Sequence, residues 1–571
     1  MSKINSDKTF LSLIKKAVLC FVSMIKCEIK DNTEIFDCKN LRKYVQIIGI
    51  LLLFYIIFVH NLGTYPLLDT DETRYADIAR NMYRSKDYIT MYLDGVIFWD
   101  KPPMYFWLES LSYHLSGFIN EWSVRFPVIL CALVQIIALY FTLKKITTES
   151  LALKSILILG TSLEFVIFSK VAILDMVMTT FITLSLLCGI LTYYVAENNK
   201  KYFWWGFYVF SALGILSKGI PAFIIPFGTM FFIGLYKKNL REFFKPQHFL
   251  IGWFLFFLIS LPWHIIMYKI HGFKFIDEYI ILHHFKRFIG SNEVDRTEPF
   301  YYYLPVFIVG FFPWTMSFLC GLKKLWQEKS KDIIAINLIG FIFTFIFFTL
   351  SQTKLVTYIL PLYIFSSVLT AYMWDNIKEY SKELRISAII NFVVFELVII
   401  AIFMAKIILN EYTYSIVKGI QIALIFVLLI FLVYLGIGIF RKKPQYVFYS
   451  NIILITLLSG FMLPNIFNVW YDFGERDLLN IAYIAKEQNL KLATYDLTER
   501  FSLQYYYDGE VLYYYSKIKP TVKKYVKTQK FKKDFSGHVV ATSTWRLHYL
   551  GRKTKYRILY LGKRFSLIEQ I

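Results

Sequence analysis

The sequence predicts a polytopic membrane protein: an all-α bundle of transmembrane helices with a small α/β domain at its carboxyl end. Hydrophobic residues make up 57% of the 571 residues, whereas charged residues make up only 18%. Apolar runs long enough to cross about 30 Å of hydrocarbon recur along the chain. The net charge of +22 comes mostly from short basic clusters between these runs, which is typical of membrane topology signals. Nucleic acid is therefore not a predicted partner.

The apolar runs predict about thirteen membrane-spanning helices, each of roughly 17 to 25 residues. They cover 44–60, 124–143, 151–171, 174–196, 203–217, 220–236, 248–267, 301–321, 333–350, 356–374, 386–406, 417–440 and 446–463.

The connections between these runs fall into two alternating sets, of which one is strongly basic. The basic set includes Lys144-Lys145, Lys200-Lys201, Lys237-Lys238, Lys323-Lys324, Lys378-Lys382-Arg385 and Arg441-Lys442-Lys443. Basic loops stay in the cytoplasm, so residues 1–43 are predicted to be a cytoplasmic lead-in to the membrane domain, 44–463. The long loops 61–123 and 268–300 then lie outside, as does the tail, 464–571.

The tail differs from the rest of the chain in its pattern. A helical stretch at 475–488 precedes strand-like runs at 490–495, 511–515, 538–542 and 556–560, which predicts a small α/β domain. Its excess of basic residues suits either packing beside anionic membrane lipids or simple solubility.

The first cluster of charges, in loop 61–123, begins a helix. Thr70 or Asp71 can cap a helix whose Tyr75, Ile78, Ala79 and Met82 share one face. Such a helix is expected to lie along the membrane surface. Acidic residues at its start can serve chemistry or only complement the helix dipole.

Further charges are predicted at the same outer ends of helices. Asp100 and Lys101 precede two prolines, and a lysine held in so rigid a loop is a good phosphate anchor. Other cations at this level oppose the positive-inside trend: Arg74, Lys170, Lys218 and Lys354. Together with Lys101 they predict an outward-facing cationic cavity for a phosphorylated lipid. Snorkelling to the interface is the alternative for any single lysine. His283 and His284 are adjacent, which is not the spacing of a zinc site.

Six motifs occur in the order seen in bacterial aminoarabinose transferases, which are GT-C membrane glycosyltransferases related to protein O-mannosyltransferases. They are Asp71-Glu-Thr-Arg-Tyr-Ala-Asp-Ile-Ala-Arg80, Asp100-Lys-Pro-Pro103, Leu174-Asp175, Leu216-Ser-Lys-Gly219, His284-Phe-Lys-Arg-Phe288 and Thr353-Lys-Leu-Val-Thr-Tyr-Ile-Leu-Pro361. The resemblance covers about residues 60–365. It implies a GT-C fold and transfer of a sugar, such as aminoarabinose, from a polyprenyl-phosphate donor to lipid A. The implied location is the bacterial inner membrane, with the site and tail facing the periplasm.

The resemblance also implies roles for individual residues. Asp71 and Asp175 would be the catalytic or acceptor-positioning carboxylates. The implied substrate-binding residues are Glu72, Arg74, Lys101, Lys218, Arg287, Lys354 and Tyr358. Among these, Arg74 and Lys101 would hold phosphate and Tyr358 would stabilise the leaving phosphate. Asp100 stands where the family usually has Glu, and with His284 it would form the site for a divalent metal such as zinc that some relatives have.

Two other functions fit parts of the pattern. A GT-C enzyme could instead glycosylate proteins or another envelope polysaccharide, and the catalytic residues alone do not separate these acceptors. A transporter or flippase would need repeated halves and broken helices at mid-membrane, whereas the charges gather at one face. A nucleotide-sugar clamp at Asp69 and Asp71 is disfavoured, because the predicted topology places it opposite the nucleotide pool. Asp69 is then expected to be a turn residue.

Overall fold

The structure, a computed structural model, describes residues 38–93, 95–286, 298–408, 411–497, 500–515, 526–527, 537–551 and 555–570. Most of the predicted cytoplasmic lead-in and the candidate residue Arg287 lie outside these ranges. The chain divides into two compact units, Met1–His60 and Asn61–Ile571. The described part of the first unit is helix α1, Cys38–Phe54, which continues as a π-helical turn, Tyr55–Val59.

The second unit contains most of the helices. Before the tail they are α2 (Asp71–Ser85), α3 (Met104–Ser116), α4 (Glu121–Ile146), α5 (Glu149–Gly160), α6 (Leu163–Ser169), α7 (Leu174–Leu191), α8 (Glu197–Lys218), α9 (Pro221–Tyr236), α10 (Leu240–Phe243), α11 (Pro246–His271), α12 (Phe273–Phe275), α13 (Tyr303–Gly310), α14 (Thr315–Gln327), α15 (Asp332–Leu350), α16 (Leu362–Asp375), α17 (Ser381–Ile408), α18 (Glu411–Phe440), α19 (Pro444–Leu457) and α20 (Leu463–Gly474). Shorter elements are the hairpin β1 (Tyr92–Leu93) and β2 (Val96–Ile97), a 3₁₀ turn Val356–Ile359, and π-helical turns Ile276–Lys286 and Leu458–Met462.

Every predicted span falls on helix, and the chain is a multi-pass membrane protein. Of the helices in the described ranges, seven are long and apolar enough to cross a membrane, or nine if each of two bent pairs is one span. Tyr44–Val59 and Pro221–Tyr236 are apolar but shorter. The expected number of about thirteen therefore exceeds what helix length and hydropathy support. The reason is that some apolar runs form short or bent helices, as α16 does with 14 residues.

The two bent pairs correct the prediction of straight spans at 151–171 and 301–321. Helices α5 and α6 meet at 65°, and α13 and α14 meet at 113°. Pro313, which lacks an amide hydrogen, lies in the second break. Two hydrogen bonds join the two breaks. The Leu163 amide donates to the Phe312 carbonyl at 3.0 Å, and the Trp314 indole donates to the Thr161 hydroxyl at 3.0 Å.

The tail forms the predicted α/β arrangement. Its elements are α21 (Arg476–Glu487), β3 (Leu492–Tyr495), α22 (Phe501–Tyr507), β4 (Val511–Tyr515), β5 (Val526–Lys527), β6 (Val539–Ser543), α23 (Leu547–Gly551), β7 (Tyr556–Leu561) and β8 (Phe565–Gln570). The sheet order is β5-β4-β3-β6-β8-β7. The first four strands are parallel, while β8 runs antiparallel to both β6 and β7. All four predicted strands and the predicted helix are present.

Helix α2 is held between α3 and the tail. The apolar face predicted from the sequence is buried, with Tyr75, Ile78, Ala79 and Met82 all at most 5% exposed. That this helix lies along the membrane surface stays a prediction. Part of its polar face is buried as well, including Thr73, Asp77 and Arg80. Arg80 explains this: its guanidinium donates to the Tyr505 carbonyl of α22 at 2.7 Å and pairs with both Asp77 and Asp508.

Replacing Arg80 with Ala is expected to loosen the tail from α2. The change leaves the buried Asp77 carboxylate without its cation, which costs about 3–5 kcal/mol. Arg84 is the matched control, because it binds the same Asp508 at 2.7 Å but is 52% exposed, and exposed pairs contribute about 0–1 kcal/mol. Thermal unfolding of the purified protein, followed by tryptophan fluorescence, should show a large fall in the unfolding midpoint for Arg80→Ala and a small one for Arg84→Ala. Equal losses would contradict the assignment.

Candidate active site

Two cavities adjoin where several helix ends meet α2 at one face of the bundle. One, of about 410 Å³, is polar and lies beside the start of α2. The other, of about 340 Å³, is apolar and lies between α7, α9 and α15. Four residues line both cavities and therefore form their shared wall: Asp100, Lys101, Lys218 and Tyr358.

Most of the predicted site residues come together at these cavities. The polar cavity is lined by eight of them: Asp71, Glu72, Arg74, Asp100, Lys101, Asp175, Lys218 and Tyr358. They arise from segments far apart in the sequence, at the starts of α2 and α7, the end of α8, the loop before α3 and the 3₁₀ turn before α16. These ends meet at one face of the bundle.

The apolar cavity has the character of a hydrocarbon site. Its walls include Met178 of α7, Ile220, Pro221 and Ile224 around the start of α9, and Phe347 at the end of α15. Only its inner end, at the shared wall, carries charge. An elongated apolar group with one anionic end fits this distribution of polarity.

The polar cavity is not purely cationic, which corrects the prediction from isolated lysines. Each of its cations pairs with a neighbouring carboxylate: Arg74 with Asp71, Lys101 with Asp100 and Lys218 with Asp175. Sequence reasoning identified these residues but did not anticipate the pairing. An anionic ligand entering the cavity has to compete with the carboxylates for the same cations.

The ion pair of Asp175 with Lys218 has additional contacts to the turn before α16. The Asp175 carboxylate accepts from Lys218 and from the Thr357 hydroxyl, the latter at 2.9 Å. The Lys218 ammonium also lies 4.2 Å from the centre of the Tyr358 ring, within range of a cation–π interaction. Helices α7 and α8 and the turn before α16 are thus fixed to one another at the shared wall.

A fully buried ion pair fixes the start of α2. Both oxygens of Glu72 accept from the Arg125 guanidinium at 2.9 Å, and neither side chain is exposed. The same carboxylate accepts from the backbone amides of Leu68 and Ala172. Arg125 also donates to three carbonyl groups, those of Leu62, Tyr65 and Pro66.

These bonds change the expected role of Glu72. It was predicted to bind substrate, but its oxygens are committed to protein groups, so the structure supports a positioning role. Sequence reasoning missed Arg125 altogether. The available signal was an arginine at the start of an apolar run, since a charge beside hydrocarbon is costly unless it is paired.

Lys354 and Lys170 do not line either cavity. The Lys354 ammonium donates to the backbone carbonyls of Glu298 at 3.1 Å and Ser351 at 2.5 Å. Lys170 donates to the Ser459 carbonyl at 3.1 Å. Both lysines were predicted to belong to the phosphate-recognising cavity, and Lys354 was predicted to bind substrate. The structure instead uses their ammonium groups to satisfy carbonyls near helix ends.

The predicted metal site is described only in part. Asp100 accepts from Lys101 and lies 2.9 Å from Nδ1 of His283. The side chain of His284, the predicted second ligand, lies outside the described part of the chain. Within that part, no group of three or more His, Cys, Asp and Glu residues could hold a metal ion. Zinc binding by Asp100 and His284 therefore stays a prediction.

Asp69 was expected to be a turn residue, and it also connects the start of α2 to the tail. One of its oxygens accepts from the Thr73 hydroxyl at 2.6 Å, and both accept from Ser502 of α22. The Ser502 hydroxyl also reaches Glu475 at 3.3 Å. Burial, together with the nearby Glu475 carboxylate, raises the pKa of Asp69 to about 6.

The comparisons with known proteins cover different parts of the chain. Residues 100–266 match the family described as dolichyl-phosphate-mannose-protein mannosyltransferase. An undecaprenyl phosphate-alpha-4-amino-4-deoxy-L-arabinose arabinosyl transferase from Wigglesworthia glossinidia brevipalpis is 32% identical over 362 residues, which cover 61% of this chain and 62% of that protein. The enzyme of the same name from Pectobacterium carotovorum is 29% identical, covering 60% and 62% respectively. The chain thus matches about 62% of the length of these curated relatives.

The fold also matches a solved structure along nearly its whole length. ArnT from Cupriavidus metallidurans bound to undecaprenyl phosphate superposes with a TM-score of 0.78 at 19% identity, covering 91% of this chain and 97% of that one. The predicted GT-C fold is therefore confirmed. The tail is included in this match, although the sequence motifs ended near residue 365.

The stability of the fold around Asp69 is expected to fall as the pH rises, because the ionised carboxylate is buried and lies near Glu475. A carboxyl group whose pKa is higher in the folded state than in the unfolded state stabilises the fold fully below about pH 4, and this stabilisation is lost as the pH rises through about 6. The unfolding midpoint of the wild type should therefore fall by a few degrees between pH 5 and pH 7. Asp69→Asn keeps a hydrogen-bonding side chain but cannot ionise, so its midpoint should fall less. An identical pH dependence in both proteins would contradict the assignment.

Proposed function

We propose that this chain, an aminoarabinose transferase-like protein of the GT-C family, transfers a sugar from a polyprenyl-phosphate donor to lipid A. The observation that carries the proposal is the shared wall between an apolar and a polar cavity. A lipid-linked sugar has the same arrangement of groups: a hydrocarbon chain, then a phosphate, then a polar ring. The curated relatives are named for undecaprenyl phosphate and aminoarabinose, which makes these the first substrates to test.

The donor would lie across the shared wall. Its hydrocarbon chain would occupy the apolar cavity beside Ile224 and Phe347. Its phosphate would meet Lys101 and Lys218, which are the two cations present in both cavities. The Tyr358 hydroxyl group is available there to donate to the leaving phosphate.

Phosphate binding would also change the carboxylates. A phosphate that takes the Lys218 ammonium would weaken its bond to Asp175, and one that takes Lys101 would weaken its bond to Asp100. The lysines would then neutralise less of the negative charge on Asp175 and Asp100, and this charge would face the sugar. The ion pairs would thus fix the positions of these side chains and exchange partners when the donor binds.

The reaction breaks the bond between the anomeric carbon and the phosphate oxygen and forms a bond from that carbon to an acceptor oxygen. The electron pair of the broken bond leaves with the polyprenyl phosphate, whose negative charge the fixed cations stabilise. A hydroxyl acceptor must also lose a proton, and Asp71 is suited to accept it because its side chain is 46% exposed. A phosphate acceptor is already anionic and would need only positioning by Asp71 and Arg74.

The proposed orientation places the site on the periplasmic face of the inner membrane. The basic connections that predict the cytoplasmic side lie at the opposite helix ends, for example after Asp375 and after Phe440. Lipid A and polyprenyl-linked sugars are both accessible from that outer face.

A second acceptor class has a specific observation in its favour. The family that matches residues 100–266 is named for protein mannosyl transfer, and this range includes Asp100, Lys101, Asp175 and Lys218. The same donor chemistry would then serve a protein hydroxyl group. Only the acceptor and the sugar would differ.

Mass spectrometry of lipid A and of envelope glycoproteins, from cells with and without this chain, tests the proposal. A sugar added to lipid A only when the chain is present is the expected result. Its appearance on proteins alone would favour the second acceptor class, and no change in either fraction would contradict both.

The same mass spectrometry assay tests the proposed roles of Asp71 and Lys101 in the transfer reaction. Asp71→Asn should reduce transfer by roughly 10²-fold or more through loss of a base, and Lys101→Ala by a similar factor through loss of charge stabilisation. Asp472→Asn is the matched control, because Asp472 is a 40% exposed carboxylate paired with Arg476, four residues further along the chain, but lies outside both cavities. Near-normal transfer by Asp71→Asn, or equal loss in the control, would overturn the assignment.

A further inference from the structure

A third cavity lies at the opposite end of the bundle from the candidate active site. Its volume is about 600 Å³, and it lies between the start of α17 and the corner that joins α18 to α19. Trp374, near the end of α16, lines it. Because α16 begins beside Tyr358 and rises 1.5 Å per residue, Trp374 lies about 18 Å further along the helix axis. The two sites therefore belong to opposite faces of the membrane domain.

Three cations line this cavity. Lys382 and Arg385 lie three residues apart on the first turns of α17, so their side chains share one face of the helix. Lys442 approaches from the turn between α18 and α19. Among the described residues, none of the three has a carboxylate within ion-pair distance, whereas every cation lining the polar cavity of the candidate active site has one.

The rest of the cavity wall is apolar. Ala388 and Ile389 continue along α17 beyond the two cations, and Ile439 and Val447 face them from α18 and α19. Ile389 is 43% exposed, so the apolar part opens sideways towards the hydrocarbon. Cations thus lie at the helix ends and apolar surface lies towards the membrane interior.

Close packing of α18 against α19 shapes this wall. A Cβ atom on Gly438 would meet Val447 Cγ2 at 2.8 Å and the Val447 amide nitrogen at 3.1 Å. Only glycine permits this approach without movement of the backbone. The cavity is therefore bounded by two closely packed helices on one side and by α17 on the other.

We propose that this cavity binds an anionic phospholipid. Its phosphate group would lie among Lys382, Arg385 and Lys442, and its acyl chains would run along Ile389 and Ile439. Basic pockets between transmembrane helices at the interface are suited to anionic headgroups. A free phosphate would be attracted by the cations but would gain nothing from the apolar wall, which is why the lipid is the better occupant. The site is separate from the proposed transfer reaction.

Native mass spectrometry of the full-length protein with added phosphatidylglycerol tests this proposal. The variant Lys382→Ala/Arg385→Ala/Lys442→Ala should bind the lipid roughly 100-fold more weakly, because it loses three cations at an anionic headgroup. The matched control is Lys378→Ala/Arg441→Ala/Lys443→Ala, which removes the same charge from exposed positions on the same face that do not line the cavity. The control should bind like the wild type.

Two further measurements separate the alternatives. Ile389→Trp narrows the apolar part without changing charge, and it should weaken lipid binding while leaving the protein folded, since the position is exposed. Phosphatidylcholine and inorganic phosphate are the comparison ligands, and both should bind far more weakly than phosphatidylglycerol. Equal binding of phosphatidylcholine, equal binding of inorganic phosphate, or an equal loss in the control variant would each overturn the proposal.

Discussion

The buried pair of Glu72 and Arg125 is the constraint on which the candidate active site of this protein depends. One carboxylate and one guanidinium satisfy two backbone amides and three carbonyls from two segments of the chain. A buried ion pair offsets its desolvation only when its remaining hydrogen bonds are made, and here they are made by the loop before α2 and by the Ala172 amide between α6 and α7. Asp71 and Arg74, one turn of α2, are held beside Asp175 by this network. Chemistry at the polar cavity therefore rests on a pair that does not need to touch substrate.

The charges of the site are arranged in pairs that a ligand can exchange. Arg74, Lys101 and Lys218 each bind a carboxylate. Such pairing avoids isolated charges beside hydrocarbon, and it keeps the cations at the wall between the two cavities. The cations at the opposite face, Lys382, Arg385 and Lys442, lack such partners among the described residues. This difference in pairing is consistent with the two roles that we propose, exchange of partners at the first site and anion binding at the second.

The fold class followed from the apolar runs, and the candidate site residues followed from charges beside those runs and from the motif resemblance. Asp71, Lys101 and Asp175 were named in this way and lie together at the polar cavity, while their roles stay predictions. Tertiary partners were not predictable in the same way. Asp69 contacts Ser502, 433 residues away, and no local pattern reports such a contact. Lys354 was predicted to bind substrate because its charge stands out in the sequence. The groups that it binds are backbone carbonyls, those of Glu298 and Ser351, and every residue has a backbone carbonyl, so the sequence gives no sign of these contacts.

The central claim is that a lipid phosphate binds at the wall shared by the two cavities. A structure of the purified protein with undecaprenyl phosphate, determined by cryo-electron microscopy, tests it most directly. The account predicts phosphate density between Lys101 and Lys218, with the hydrocarbon chain beside Ile224 and Phe347. Phosphate density elsewhere, or a hydrocarbon chain in the polar cavity beside Asp71, would contradict it.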